Sequence, residues 1–442
     1  MKWLFLLVIC TQCLLIRAQI VSGPMLGQVE LRDAKIWLEV TPEVKKVQLL
    51  YHKQSDPKTK IITYNGSLGN PFNPIQFTIG GLDFNTTYEY RFLVDGKEAK
   101  QKGSFTTKDL WQWRKPAPDF SFLTGSCAYF NEPQYDRPGK PYGGDSSIFE
   151  TMAKEKAAFM LWLGDNWYTR EPDFSPWGMW YRAHRDRSMP VLQNFLKAMP
   201  QYATWDDHDY GPNDIGQSFI LKETSKKIFD AYWANPSSGI NGEGVYTQLS
   251  YSDVDIFVTD DRWWRSADHI QDSVNGKPNP GKVMLGARQM EWLKNALAYS
   301  QATFKIIVVG SQVLNPLSPF DKLLNFPVEY YELMHFISDN KISGILFLTG
   351  DRHHSEVIKV DRPGTYPLFD ITVSSLTAGV AGFSQAEQHS PYNLLKVEKN
   401  NYGRFSFSGP KGQRRLLVEF IGTKGEKLEE WSVLETQLKA ER

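Results

Sequence analysis

Cysteine is scarce in this chain of 442 residues: there are three, Cys10, Cys13 and Cys127. That excludes a small disulfide-stapled scaffold. An excess of charge of one sign is also missing, since 50 Lys and Arg balance 50 Asp and Glu. No global field therefore draws the chain to nucleic acid or to an acidic membrane, and a small anionic substrate has to be held by local cations. Beyond the first sixteen residues no apolar run is long enough to cross a bilayer. Repeats and low-complexity segments are absent. No Gly-x-Ser-x-Gly elbow with partners in order is present, which disfavours a serine hydrolase.

What is present begins with Met1-Lys2, an apolar run from Trp3 to Ile16, and Arg17-Ala18-Gln19. A basic start, an apolar centre and a small residue at the exit predict a signal peptide over residues 1–18, cut after Ala18. A membrane anchor is the alternative, but the run is short for a full span. The expected product is exported, without a transmembrane anchor, and keeps Cys127 as its one thiol. Such a thiol is either buried and inert or held as thiolate by a metal.

Residues 20–109 read as all-β. Segments such as Ala34–Val40, Val47–Tyr51 and Asn85–Phe92 are β-branched, aromatic or alternating, and turn residues such as Thr41-Pro42 separate them. The Leu82…Tyr88 arrangement resembles the tyrosine corner of fibronectin type III and immunoglobulin-like sandwiches. Trp111 to Pro118 reads as a linker. From 119 to 442 strands alternate with helices, among them a clear amphipathic helix over 286–299 with Met290, Leu293 and Leu297 on one stripe.

Nearly every apolar strand of this second part runs into a loop dense with metal-type ligands. Phe120–Ser126 meets Cys127, and Phe159–Leu163 meets Gly164-Asp165-Asn166-Trp167-Tyr168. Tyr202–Trp205 meets Asp206-Asp207-His208-Asp209, with Asn213 beyond, and Gly344–Thr349 meets Gly350-Asp351-Arg352-His353-His354. Strands lying side by side would bring all four loops to one edge, where open α/β sheets place their sites. A carboxylate such as Asp165 has two oxygens with which to bridge two cations. Cys127 as thiolate and Tyr168 as phenolate favour Fe(III) over Mg(II) or Ca(II), and His353 can complete that set. Asp207, Asn213 and Asp351 offer only oxygen, which Ca(II) or Mg(II) prefers. Tyr168 as an aromatic lid is the alternative for that residue.

The order of Ser-Cys at a strand end, Gly-Asp-x-x-Tyr, Trp-Asp-Asp-His-Asp and Gly-Asp-x-His resembles the PhoD-like alkaline phosphatase and phosphodiesterase family. Those enzymes are calcineurin-like metallophosphoesterases, more distantly related to purple acid phosphatases. The resemblance covers nearly the whole chain after residue 18. It implies a four-layer αββα sandwich behind a β-sandwich domain, and a centre of Fe(III) and Ca(II). Position by position, it implies Cys127, Asp165, Tyr168 and His353 around iron, and Asp165, Asn213 and Asp351 around calcium. Either Asp206 or Asp207 joins them, Asp207 being favoured. The chain departs from the family pattern at Asp209, at Gly211-Pro212-Asn213, and at Arg352, where a small residue is expected.

The implied reaction is hydrolysis of small phosphate mono- or diesters by a hydroxide formed on the cations, attacking in line with the leaving oxygen. His208 is the candidate to stabilise the phosphoryl group or protonate the leaving alkoxide, with a structural histidine bonded to Asp206 or Asp209 as the alternative. Arg262 is the candidate to grip phosphate oxygens, with an ion pair to Asp260 or Asp261 as the alternative. The aromatic run from Trp167 to Tyr181 is expected either to rim the site or to pack. A phospholipase D-type enzyme on the same centre and a non-catalytic surface binding protein are the competing functions.

Overall fold

The computed structural model describes residues 19–440; the expected signal peptide lies outside them. Among the described residues no helix is long and apolar enough to cross a membrane.

The first seven strands form two facing antiparallel sheets. One has the order Ile20–Val29, Asp33–Val40, Asn73–Gly80; the other has the order Asp56–Thr63, Val47–Lys53, Thr87–Val94, Lys97–Thr106. Period-two burial explains the pairing. Along Thr87–Val94 the residues Tyr88, Tyr90, Phe92 and Val94 point inward and meet Ile36, Leu38 and Phe77 of the opposite sheet. Tyr88 makes the anticipated corner, its hydroxyl accepting from the Asp83 amide at 3.0 Å.

The rest of the chain builds two more sheets. The six-stranded sheet runs Gln201–Thr204, Met160–Leu163, Phe120–Gly125, Asn401–Ser408, Arg415–Gly422, Lys427–Leu434, with the first three parallel. The seven-stranded sheet runs Thr247–Tyr251, Val254–Val258, Phe304–Val309, Ile345–Thr349, Leu368–Thr372, Ser355–Val360, Asn393–Val397, with four parallel strands at its centre. The two sheets share one core: Phe122, Leu161 and Phe405 of the first pack with Ile256, Ile306 and Leu346 of the second. Helix Ala287–Tyr299 covers the outer face of the seven-stranded sheet through Met290, Leu293 and Leu297, joined by Leu333 and Ile337 of Pro327–Asp339. Phe149, Phe195 and Leu196 cover the outer face of the six-stranded sheet. The expected αββα order is the observed one.

The β-sandwich is seated on the larger unit through buried contacts. Trp37 is fully buried, and its indole N–H donates to the Ala231 carbonyl at 2.8 Å. Glu39, also buried, accepts from the Tyr232 hydroxyl at 3.0 Å and pairs with His184 Nδ1 at 2.8 Å. At Gly27 the backbones approach so closely that a Cβ would lie 2.2 Å from that of Ala234. Replacing Trp37 with Ala should cost about 3–5 kcal/mol, and Gly27→Val should separate the two units. Urea titration and limited proteolysis check both; a wild-type midpoint for the two variants would refute the docking role.

Candidate metal centre

Three parallel strands of one sheet and one of the other end at the same edge. Cys127 follows Phe120–Gly125 by two residues, Asp165 follows Met160–Leu163 by two, Asp206 follows Gln201–Thr204 by two, and Asp351 follows Ile345–Thr349 by two. Cys127, Asp165, Asp351 and His353 all have left-handed backbones, with φ of 61°, 52°, 67° and 58°. Such conformations are uncommon for residues with a Cβ and cost of order 1–3 kcal/mol each. Here they turn each side chain off its strand into the space between the loops. Gly164 and Gly350 let those loops meet: a Cβ on Gly164 would lie 2.5 Å from that of Asp206, and one on Gly350 would lie 2.8 Å from that of Ser126.

The turned side chains form three overlapping sets, each with its ligand atoms within 4.8 Å of one another: Cys127, Asp165 and His353; Asp165, Asp207 and His208; Asp206, Asp207 and Asp351. Asp165 links the first two. Its Oδ2 lies 3.6 Å from Cys127 Sγ, while its Oδ1 accepts from the His208 amide at 3.2 Å. One carboxylate thus presents its oxygens to two neighbouring places. Tyr168 is buried, with its hydroxyl 3.2 Å from His353 Nε2. His353 Nδ1 lies 2.7 Å from the Gly379 carbonyl; a carbonyl only accepts, so Nδ1 carries the proton and Nε2 keeps its lone pair toward Cys127 and Tyr168.

Charge explains what such a cluster needs. Burial, then the Asp351 carboxylate, pushes the Cys127 thiol up to about 11. Burial and the Asp207 carboxylate raise Asp165 well above the carboxylate range, and burial and Asp165 raise Tyr168 likewise. Burial, then Asp207, lifts Asp351 to about 7. Asp207 goes the other way: burial opposes its ionisation, but His208, Arg262 and the Asp214 amide outweigh it. Multivalent cations reverse upward shifts of this kind, because they stabilise every deprotonated ligand at once. The donor set therefore fits metal ions, and the buried Asp206 Oδ2 and His208 Nδ1, which have no hydrogen-bond partner, point the same way.

Not every anticipated residue converges. Asn213 is exposed and donates its amide to the Asp214 carboxylate at 2.5 Å; the Gly211-Pro212 turn carries it off the cluster. Arg262 is 1% exposed and does not face the cleft. Its Nε bonds Asp206 Oδ1 at 2.5 Å, and its other nitrogens reach Asp321 and Ser311. The ion-pair alternative holds in that Arg262 Nε lies 3.8 Å from Asp261 Oδ1, but the pair is buried rather than at the surface, a cation behind the carboxylates. Asp206 consequently has one oxygen committed to Arg262, whereas Asp207 belongs to two of the three ligand sets. Asp209 ties two loops, accepting from the Asn166 amide at 2.9 Å and the Asp206 amide at 3.0 Å. Arg352 turns away from the cleft to bond Gln312, Ser318 and Glu387 at 2.6, 2.7 and 2.9 Å, which accommodates its bulk. The aromatic run divides: Trp167 and Tyr168 are buried, and Trp177 lies 60% exposed beside Phe72 of the sandwich.

Three neighbours of the centre are not among the anticipated residues. Ser374 donates to Cys127 Sγ at 3.2 Å, Tyr129 packs against Tyr168 with ring centroids 5.1 Å apart, and Tyr142 sits with its hydroxyl 3.0 Å from His353 Nδ1. Ser374 carries no sequence signal. Tyr142 does, standing in a Pro- and Gly-rich stretch that follows a ligand.

Removing the Arg262 cation leaves Asp206, Asp261 and Asp321 buried without it. Arg262→Met should therefore lower stability by about 3–5 kcal/mol in chemical denaturation of the metal-stripped protein; an unchanged midpoint would exclude the charge-balancing role.

Comparison with known proteins bears on the family and the fold. The family described as PhoD-like phosphatase matches residues 122–416. Alkaline phosphatase D of Bacillus subtilis (strain 168) is 27% identical over 323 residues, 62% of this chain. The chain spans about half (52%) of that relative's length. Among solved structures, PhoD superposes with a TM-score of 0.77 at 17% identity, over 96% of this chain and 91% of that one. A purple acid phosphatase from yellow lupin (Lupinus luteus) seeds superposes with a TM-score of 0.66 at 11% identity, over 93% and 74%. These two likenesses concern the fold. Since the family match takes in more than half of the sequence and all four ligand loops, the chain belongs to the PhoD-like phosphatase family.

Proposed function

We propose that the protein is an exported metal-dependent hydrolase of phosphate esters. The observation that carries this reading is Asp165 with its two oxygens turned to two adjacent ligand sets, one rich in thiol, phenol and imidazole, the other in carboxylates. Cys127, Tyr168, His353 and Asp165 would hold Fe(III), whose acidity suits thiolate and phenolate. Asp165, Asp207 and Asp351 would hold Ca(II), with the free oxygen of Asp206 beside them. Once bound, cations of this kind acidify a water and neutralise phosphoryl oxygens.

The chain's own groups do the rest. His353 is oriented by the Gly379 carbonyl, so its lone pair stays toward Cys127 and Tyr168, where it would serve a bound cation. The His208 ring packs against Tyr168, centroids 4.3 Å apart and planes tilted by 32°. Burial holds its pKa below the usual histidine value against the pull of Asp207. We read His208 as the group that would bond a phosphoryl or leaving oxygen. Arg262 holds Asp206 in place and balances the cluster. The sandwich over residues 20–109 acts as a buttress, its Trp37 and Glu39 fixing the helix and loop around Tyr232.

Asp165→Asn should abolish both iron and calcium content and lower kcat/KM by at least about a thousandfold, the scale of a lost bridging ligand. Elemental analysis of protein purified without added metal, with turnover of an aryl monoester, an aryl diester and a phospholipid, checks this. Full activity with metal retained in Asp165→Asn would refute the bridging role, zinc alone would overturn the iron assignment, and phospholipid preference would favour a phospholipase D-type enzyme. Neither metal nor turnover in the wild type would leave a binding protein.

A further inference from the structure

The segment between Asn131 and Gly143 is a compact loop closed at its base. The Asn131 side chain donates to the Gly143 carbonyl at 2.8 Å and accepts from the Gly143 amide at 2.9 Å. Inside it, the Tyr135 and Asp136 amides donate to the Glu132 carbonyl at 2.8 and 3.0 Å, and Asp136 accepts from the Glu132 amide at 2.7 Å. Its first arm is anchored by buried charge. Glu132 pairs with Arg182 at 2.8 Å, and Asp136 accepts from the Tyr129 hydroxyl at 2.8 Å and pairs with Arg170 at 3.3 Å. Its second arm is anchored on the centre through Tyr142 and through Gly144, whose amide donates to the Thr377 carbonyl at 2.6 Å. A loop fixed at both ends beside the ligand cluster displays its remaining side chains in fixed places.

Two of those side chains have unspent binding capacity. His353 Nδ1–H points to the Gly379 carbonyl and the Tyr142 oxygen together, so Tyr142 accepts there and its own O–H is free to donate. Tyr142 is 45% exposed. Arg137, immediately after the anchored Asp136, has a side chain 94% exposed, and its nearest acid is Glu171 at 4.0 Å. Glu171 stands three residues after Tyr168, which places Arg137 beside the loop that carries that residue. Other arginines of this region are committed to buried carboxylates: Arg170 to Glu132 and Asp136, Arg262 to Asp206 and Asp321, Arg352 to Glu387.

We propose that the loop from Asn131 to Gly143 is the substrate-recognition loop of this centre, with Tyr142 donating a hydrogen bond to a phosphoryl oxygen and Arg137 binding a second anionic group on the alcohol part of the substrate. The favoured substrate class is therefore phosphate esters whose alcohol carries a carboxylate or another phosphate. This rests on the phosphoesterase reading. An exposed guanidinium cannot stabilise buried chemistry, but it can hold a distal anion by a charge-assisted bond that salt weakens.

The test compares 2-hydroxyethyl phosphate with two charged relatives, phosphoglycolate and ethylene glycol bisphosphate, on the metal-loaded wild type, Arg137→Ala, Arg137→Lys and Tyr142→Phe. In the wild type both charged esters should have a KM about tenfold lower than the neutral one at low salt, and the gap should close in high salt. Arg137→Ala should erase the gap without changing turnover of the neutral ester, and Arg137→Lys should keep part of it. Tyr142→Phe should lower kcat about tenfold on all three with iron and calcium content unchanged. A preference for one charged ester alone identifies its anion as the ligand. Equal KM values in the wild type, or a gap that survives Arg137→Ala, overturn the proposal for Arg137; loss of metal in Tyr142→Phe makes that residue a support for His353 and overturns its substrate contact. Absence of wild-type turnover on all three strikes the phosphoesterase reading itself, and this proposal with it.

Discussion

Parallel strand register is the constraint from which the centre follows. Leu163 pairs with Thr204 and Gly125 with Trp162 across three neighbouring strands, so their ends fall in one row. Thr349 of the facing sheet ends at the same edge, because the Gly350 amide donates to the Gly310 carbonyl at 2.9 Å and Gly350 packs against Ser126. A one-residue slip in any strand would carry its ligand to the opposite face. Register of this kind is secured by the buried apolar core between the sheets, where Leu161, Leu163, Ile306, Val308, Leu346 and Leu348 are at most 1% exposed. The hydrophobic interior thus sets the positions of charged groups that it could not itself tolerate.

Those groups are held by a second, polar layer. Buried carboxylates crowded together are unfavourable unless positive charge or hydrogen bonds answer them. Arg262 answers Asp206 and Asp321, and backbone amides answer Asp207 and Asp209. Burial still drives Asp165, Asp351, Asp206 and Asp209 upward, and only Asp207 is held below the ordinary carboxylate range. The Asp165 carboxylate and the backbone carbonyl of Asp351 flank the Cys127 thiol, Asp165 Oδ2 and Asp351 O each lying 3.6 Å from its sulfur. The left-handed backbones at Cys127, Asp165, Asp351 and His353 belong to the same balance, since strain of this size persists only where packing on all sides over-determines it.

Much of this could be read from residue order. Strand ends rich in ligands, the sandwich with its Tyr88 corner, and the helix over Ala287–Tyr299 follow from local patterning. The failures share a cause. Arg262 reads from its place after a strand as a phosphate grip, and its commitment to Asp206 and Asp321 depends on residues 56 and 59 positions away. Asn213 depended on the path of a Gly-Pro turn that local pattern does not determine. Asn401–Ser408, wedged between Phe120–Gly125 and Arg415–Gly422, alternates polar and apolar residues weakly and joins its sheet by pairing with strands remote in sequence. Tyr142 reaches His353 across 211 residues. Side chains that act on their own strand's loop were readable; those that act through another loop were not.

Close backbone approach at Gly164, Gly310 and Gly350 has an evolutionary corollary. A side chain at any of the three would meet Asp206, Asp261 or Ser126 at less than 3 Å, so the inner wall leaves natural variation almost no room to resculpt it. Diversification has to fall instead on the outer segments, such as residues 133–142 and 211–221, where exposed positions are frequent. Paralogues of this architecture should then differ in appetite while sharing one engine, and directed-evolution libraries would be best confined to that periphery.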